Sequence, residues 1–273
     1  MLIDFHTHTF PEKIAARTIE KLLGSLKERN IAKAEAKAYT DATVNGLLKS
    51  MDDYGVDYSV ILPIATNVKQ SDTINRVAAE NNSSERLFSF GSLHPMQENW
   101  ERTIYDIKEK GLPGIKLHPE YQQFYITSKE SIRLLKLCEK LELLVTLHTG
   151  GDVGIEPPIH CLPKDLRSVL DYEVEGSNII AAHMGGWREW DGVEKYLAGT
   201  PILMDTAYVS SDLPIEQFER IVKSHGADKI LFATDSPWES PDMTKDYINR
   251  TSLNEEEKNL IFYKNAKKLL KIS

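Results

Sequence analysis

The feature that most restricts this chain is a rhythm. After the first, short apolar segments recur at intervals of roughly 30 residues, each followed by an amphipathic stretch, which is the length one strand–helix–strand unit consumes. Eight such segments can be read: Leu2–His8, Asp57–Ile64, Leu87–Pro95, Gly114–Pro119, Leu143–Gly150, Asn178–Gly185, Pro201–Ala207 and Lys229–Pro237. Several, such as Tyr58–Leu62 and Ile179–Ala182, are almost unbroken in apolar side chains, as strands covered on both faces must be. Amphipathic stretches lie between them at Val44–Tyr54, Ser71–Asn82, Asn99–Lys110, Ser128–Leu141, Pro163–Tyr172, Val193–Leu197 and Ile215–Ser224. This alternation predicts a (β/α)8 TIM barrel, with a doubly wound open sheet as the competing topology.

The first interval is longer than the rest. It holds a helical stretch, Glu12–Arg29, and a polar Ala/Lys/Glu segment, Ile31–Ala38, which read as an insertion over about residues 11–42 near the barrel mouth. At the other end, Asn254 or Ser252 can cap a helix with Glu257 or Glu255 three residues on, and the stretch to Leu270 is predicted to seal the barrel. No Gly/Ser/Pro-rich linker divides residues 1–273, so a single domain is expected.

Composition narrows the partners. The net charge of −8 without a basic cluster argues against a nucleic-acid surface and for a small-molecule substrate. Cys138 and Cys161 are too few and too isolated for a disulfide framework, and neither a secretory leader nor a membrane span is evident. A cytoplasmic protein is expected, with self-association left open.

The chemistry sits at the segment ends. His6 and His8 are two apart on a strand, so both side chains leave one face and can reach one ion. His148 and His183 end the fifth and sixth segments, each beside glycine, and Asp235 ends the eighth, where an apolar run makes an uncompensated carboxylate costly. A barrel delivers all its strand ends to one rim. Three of these imidazoles and the carboxylate meeting there suit an open zinc-type site.

The motifs Asp4-Phe5-His6-Thr7-His8, Gly114-Ile115-Lys116-Leu117-His118-Pro119, Leu147-His148-Thr149-Gly150, Ala182-His183-Met184-Gly185-Gly186 and Thr234-Asp235-Ser236-Pro237 together resemble the amidohydrolase superfamily. Within it, the chain is similar to the amidohydrolase family 2 branch, which includes decarboxylases related to aminocarboxymuconate semialdehyde decarboxylase. The resemblance implies that His6, His8, His148 and Asp235 hold a divalent metal, that Asp235 also takes a proton from water, and that His183 polarises water or substrate. It also offers a binuclear variant, in which a carboxylated Lys116 bridges two ions and His183 helps hold the second. The single-ion reading, with Lys116 paired to a substrate carboxylate or to Asp235, is preferred here.

His118 is a candidate substrate contact. Trp187, Arg188, Tyr208 and Trp238 lie on loops after the strands, where they either line the pocket or cover the core, and Arg188 has Glu189 and Asp191 nearby as surface partners. His94 either lines the rim or fills space. His160 and His225 have no partner pattern and are expected to face solvent. The resulting expectation is a metal-dependent hydrolase, probing a small amide, lactone or ester with ion-activated water. A non-oxidative decarboxylase and a non-catalytic metal-binding barrel are the alternatives.

Overall fold

Segments apolar on both faces can satisfy their backbone only in a sheet wrapped by other elements, and that is the arrangement found. The computed structural model describes residues 1–28, 37–82 and 84–272. Its strands are β1 (Ile3–Thr7), β2 (Tyr58–Ile61), β3 (Leu87–Ser89), β4 (Gly91–Ser92), β5 (Gly114–Leu117), β6 (Leu144–Leu147), β7 (Ile179–Ala181), β8 (Leu203–Asp205) and β9 (Ile230–Leu231). They pair in parallel as two ladders, β1-β2-β3 and β4 through β9 in sequence order.

Backbone hydrogen bonds join the ladders into a ring. β3 and β4 form one stave interrupted at Phe90, whose N–H still donates to Ile61 O at 2.9 Å. On the other side Phe5 N–H donates to Phe232 O, Asp235 N–H to His6 O (both 2.9 Å) and His8 N–H to Ser236 O (2.6 Å). These bonds close eight staves into the (β/α)8 barrel. An open doubly wound sheet would leave the edge strands unpaired.

Alternation divides the core. Phe5, Val60, Leu62, Phe90, Ile180, Leu203 and Leu231 pack in one cluster, with Phe5 and Phe90 edge to face at 5.9 Å. The intervening Ile61, Ile115, Leu117, Val145, Leu147, Ile179, Met204 and Ile230 pack with the helices that follow each strand. Those helices span Val44–Tyr54, Ser71–Asn81, Trp100–Glu109, Lys129–Lys140, Pro163–Tyr172, Trp190–Tyr196 and Ile215–His225. None of the described helices is long and apolar enough to cross a membrane.

The C-terminal segment starts at the capping box of Asn254 and Glu257. It then passes through a π-helical turn, Leu260–Lys264, where Ile261 O accepts the Phe232 N–H at 2.9 Å. In the long first interval the helix covers Glu12–Glu28. The polar segment read at Ile31–Ala38 lies outside the described residues up to position 36. The ends of the interval are tied to the barrel by Phe10 N–H to Ala42 O (2.7 Å) and Tyr39 N–H to Pro237 O (2.8 Å).

Candidate metal centre

Because every strand runs the same way, the residues just past the strand ends share one rim. His6, His8 and Asp235 meet there: Asp235 Oδ1 lies 3.3 Å from His6 Nε2 and 3.0 Å from His8 Nε2. The bulge in β1 between Asp4 and Thr7 lies at this point. Asp4 anchors it from below, accepting the Thr234 N–H and hydroxyl and the His6 N–H.

The positions of the ring protons decide what this junction can do. His8 Nδ1 faces the Leu62 carbonyl at 2.7 Å and His6 Nδ1 faces the Asp205 carboxylate at 2.9 Å. Both of those partners can only accept, so each Nδ1 carries the hydrogen. In neutral imidazoles the Nε2 lone pairs then point at Asp235 Oδ1, and three acceptors converge, with the Lys116 ammonium, 3.2 Å from His6 Nε2, as the donor beside them. Lys116 can meet His6, but the His8 contact with Asp235 still calls for an imidazolium or a bound cation. Burial drives the His6 pKa well below its ordinary value, which disfavours the imidazolium there. Burial also opposes ionisation of Asp235, but the contact with His8 and the fields of His6, His8 and His183 outweigh it and hold its carboxyl below the usual range. The donor set therefore fits a divalent ion.

Lys116 reaches the same junction. It is fully buried, and its Nζ lies 3.2 Å from His6 Nε2. Burial lowers its pKa to about 8, despite the opposing fields of Asp205, Asp235 and Asp152.

His148 and His183 form a second acceptor gap. His183 Nδ1 faces Ala207 O at 2.8 Å, and His148 Nε2 faces Gly151 O at 2.9 Å. Both hydrogens are thereby assigned, and the remaining lone pairs, His183 Nε2 and His148 Nδ1, lie 3.0 Å apart. His183 links the two gaps, its ring centre 5.4 Å from that of His6. His148 also stacks on His118, 3.9 Å between centres and 13° between planes. It groups with His118 and Asp152 rather than with the His6, His8 and Asp235 triad. In that group the contact between His118 and Asp152 already has its proton. His118 Nδ1 accepts the Tyr121 N–H at 3.3 Å, so Nε2 carries the hydrogen toward Asp152 Oδ2 at 3.5 Å.

Strained backbone marks the same rim. His183, Met184, Arg188, Tyr208 and Asp235 all adopt the left-handed conformation, with φ between 53° and 63°. Each costs about 1–3 kcal/mol and persists only where its surroundings enforce it. Gly150, at φ 80°, is required for a different reason: a Cβ there would stand 2.4 Å from the Trp187 backbone nitrogen.

Of the loop candidates, Trp187 is buried against this glycine, and its indole N–H has no partner among the described residues. Arg188 lies over the Trp187 ring at 4.2 Å and pairs with Asp212 at 3.6 Å, not with Glu189 or Asp191. Tyr208 stands 6.5 Å from Trp187, and burial raises its pKa to about 12. Trp238 is half-buried, with its N–H on Asp235 O, and His94 is half-buried with Nδ1 accepting the Met96 N–H.

Two expectations are corrected. His160 is buried and paired with Glu120 at 2.7 Å, and His225 is buried between Gly199 N–H and Ile202 O. Their partners come from distant loops, so the polar sequence around them gave no hint. Asp205 was overlooked, although it ends the apolar run Ile202-Leu203-Met204 much as Asp235 ends its own.

With this geometry in view, comparison with known proteins places the chain. The amidohydrolase family model matches residues 3–272. The chain belongs to the amidohydrolase family. Solved structures agree on the fold. A 5-carboxyvanillate decarboxylase from Novosphingobium aromaticivorans, complexed with manganese, superposes with a TM-score of 0.72 at 16% identity, covering 100% of this chain and 96% of that one. A 2,6-dihydroxybenzoate decarboxylase from Rhizobium gives 0.67 at 17% identity, covering 99% and 98%. A probable 2-pyrone-4,6-dicarboxylic acid hydrolase from Acinetobacter baumannii gives 0.66 at 15% identity, covering 99% of both chains. Among curated proteins no match was found. As an amidohydrolase the chain is an enzyme of a family of hydrolases and decarboxylases.

Proposed function

We propose that this amidohydrolase is a metal-dependent hydrolase of a small carbonyl compound, an amide, lactone or ester. The observation that carries the reading is the three-acceptor junction at Asp235 Oδ1, beside a carboxylate oxygen that neither imidazole uses. A divalent ion held by His6, His8 and Asp235, with His148 as the further ligand the family resemblance implies, would acidify water and polarise a carbonyl. Zinc suits this nitrogen and oxygen set, and manganese, present in one structural relative, is the competing choice.

The chain's own residues divide the remaining work. Asp235 Oδ2 takes the proton of the attacking water and returns it to the leaving group. His183 donates its Nδ1–H to Ala207 O, so its Nε2 lone pair, beside His148 Nδ1, is the acceptor that orients the water. His118, held by Tyr121 and Asp152, faces the substrate from the opposite side, and Trp187, Tyr208 and Trp238 wall it. Lys116 and Arg188 are the cations available to an acidic substituent.

Those two cations favour a second reading, non-oxidative decarboxylation, as does the whole-chain likeness to two decarboxylases. There Asp235 would first take a proton from solvent and pass it to the ring carbon as the bond from that carbon to the departing CO2 breaks. Product analysis of the metal-loaded protein on a panel of lactones, amides and hydroxybenzoates separates the two. Hydrolysis adds the elements of water and yields a new acid; CO2 release with no hydrolysed bond would overturn the first reading. Turnover unchanged by Asp235→Asn would overturn both catalytic readings of this junction, and no turnover on the whole panel would favour a non-catalytic metal-binding barrel.

A further inference from the structure

Asp205 is completely buried at the end of β8, where an uncompensated carboxylate would be expensive. It is compensated in two directions. Oδ2 accepts the His6 Nδ1–H at 2.9 Å, while Oδ1 accepts the backbone N–H of His183 at 2.9 Å and of Ala207 at 3.1 Å. Its backbone carbonyl takes the Met184 N–H at 2.6 Å. One residue therefore holds a ring from β1 and the left-handed pair His183–Met184 that follows β7.

We propose that Asp205 is a positioning residue for the metal centre: it fixes the His6 proton on Nδ1, so that the Nε2 lone pair faces Asp235, and holds the turn that presents His183. This rests on the metal reading given above. The physical reason is that a neutral imidazole has one hydrogen, and whichever nitrogen meets an obligate acceptor must carry it. Asp205 is the described partner of His6 Nδ1, and the Lys116 ammonium, 3.2 Å from Nε2, favours the same tautomer from the other side of the ring. Sharing one carboxylate between His6 and the His183 turn also couples two strand ends that are far apart in sequence.

Asp205→Asn tests this with little change in shape. The amide oxygen can still accept from His183 and Ala207, but the amide NH2 then meets His6 Nδ1 and drives the ring hydrogen to Nε2, blocking the lone pair. Nitrogen-15 NMR of the metal-free wild type is expected to show His6 protonated on Nδ1, and the variant to show it on Nε2. Zinc affinity, measured by competition with a chelator, is expected to fall by about 10–100-fold, while the metal-free thermal midpoint does not drop. A metal-free wild type with the His6 hydrogen on Nε2 overturns the proposal, and this measurement needs no folded variant. So does a folded variant whose tautomer shifts while zinc affinity stays constant. A wild type that shows the Nδ1 tautomer but binds no divalent ion overturns the metal reading instead.

Discussion

Two clusters on one rim contain the same residue types, two histidines and an aspartate, yet they differ in kind. In the His6, His8 and Asp235 cluster, Leu62 O and Asp205 take the ring hydrogens outward, and three acceptors are left facing inward. In the His118, His148 and Asp152 cluster, a backbone N–H fills His118 Nδ1, so the remaining hydrogen points at Asp152. At the first the contact between His8 and Asp235 lacks a hydrogen, whereas at the second the contact between His118 and Asp152 has one and the unfilled gap lies between His148 and His183. Residue identity and proximity are common to both; the accounting of hydrogens separates them.

The largest effect expected from this contrast is at Asp235. Asp235→Asn should keep the fold, lower turnover by about 10²–10⁴-fold and weaken metal binding, as read by steady-state kinetics and chelator competition. Retention of full activity would erase the distinction between the clusters.

A buried histidine outside both clusters sharpens the comparison. His225 accepts from Gly199 N–H and donates to Ile202 O, so it is satisfied as a neutral ring, and burial lowers its pKa to about 4. The unfolded chain takes the proton first as pH falls. Stability from this group is thus fully present above about pH 6.5 and is lost as pH drops toward 4, by on the order of 3 kcal/mol in all. Urea unfolding should show the gap between wild type and His225→Gln narrowing from pH 7 to pH 4.5. A gap independent of pH would mean that satisfied rings on this fold are not held neutral.

The smallest effect is at Asp152. Because His118 already supplies its hydrogen, Asp152→Asn should leave zinc affinity unchanged, though it can raise KM if the substrate touches His118. A loss of zinc affinity as large as that of Asp235→Asn would show that the second cluster is also a cation site.

The barrel and its rim were legible because strand spacing and the placement of His6, His8, His148, His183 and Asp235 at segment ends are local properties of the sequence. The inward direction of Lys116 was legible from the strand parity it shares with His118, but its partner was not: the buried amine lies against His6. What the sequence concealed were partners from elsewhere in the chain. Leu62 fixes His8 across 54 positions, Asp205 fixes His6 across 199, and Glu120 holds His160 across 40. Such pairings arise only when the ring closes. They explain both the misplacing of His160 and His225 and the oversight of Asp205, whose role depends on a neighbour that β1 brings to it.

The most direct test of the central claim is elemental analysis of protein purified without chelator, wild type beside His8→Ala. The account predicts one divalent ion per chain in the wild type and its loss in the variant. A wild type without metal, or a variant that keeps the same ion content, would contradict it.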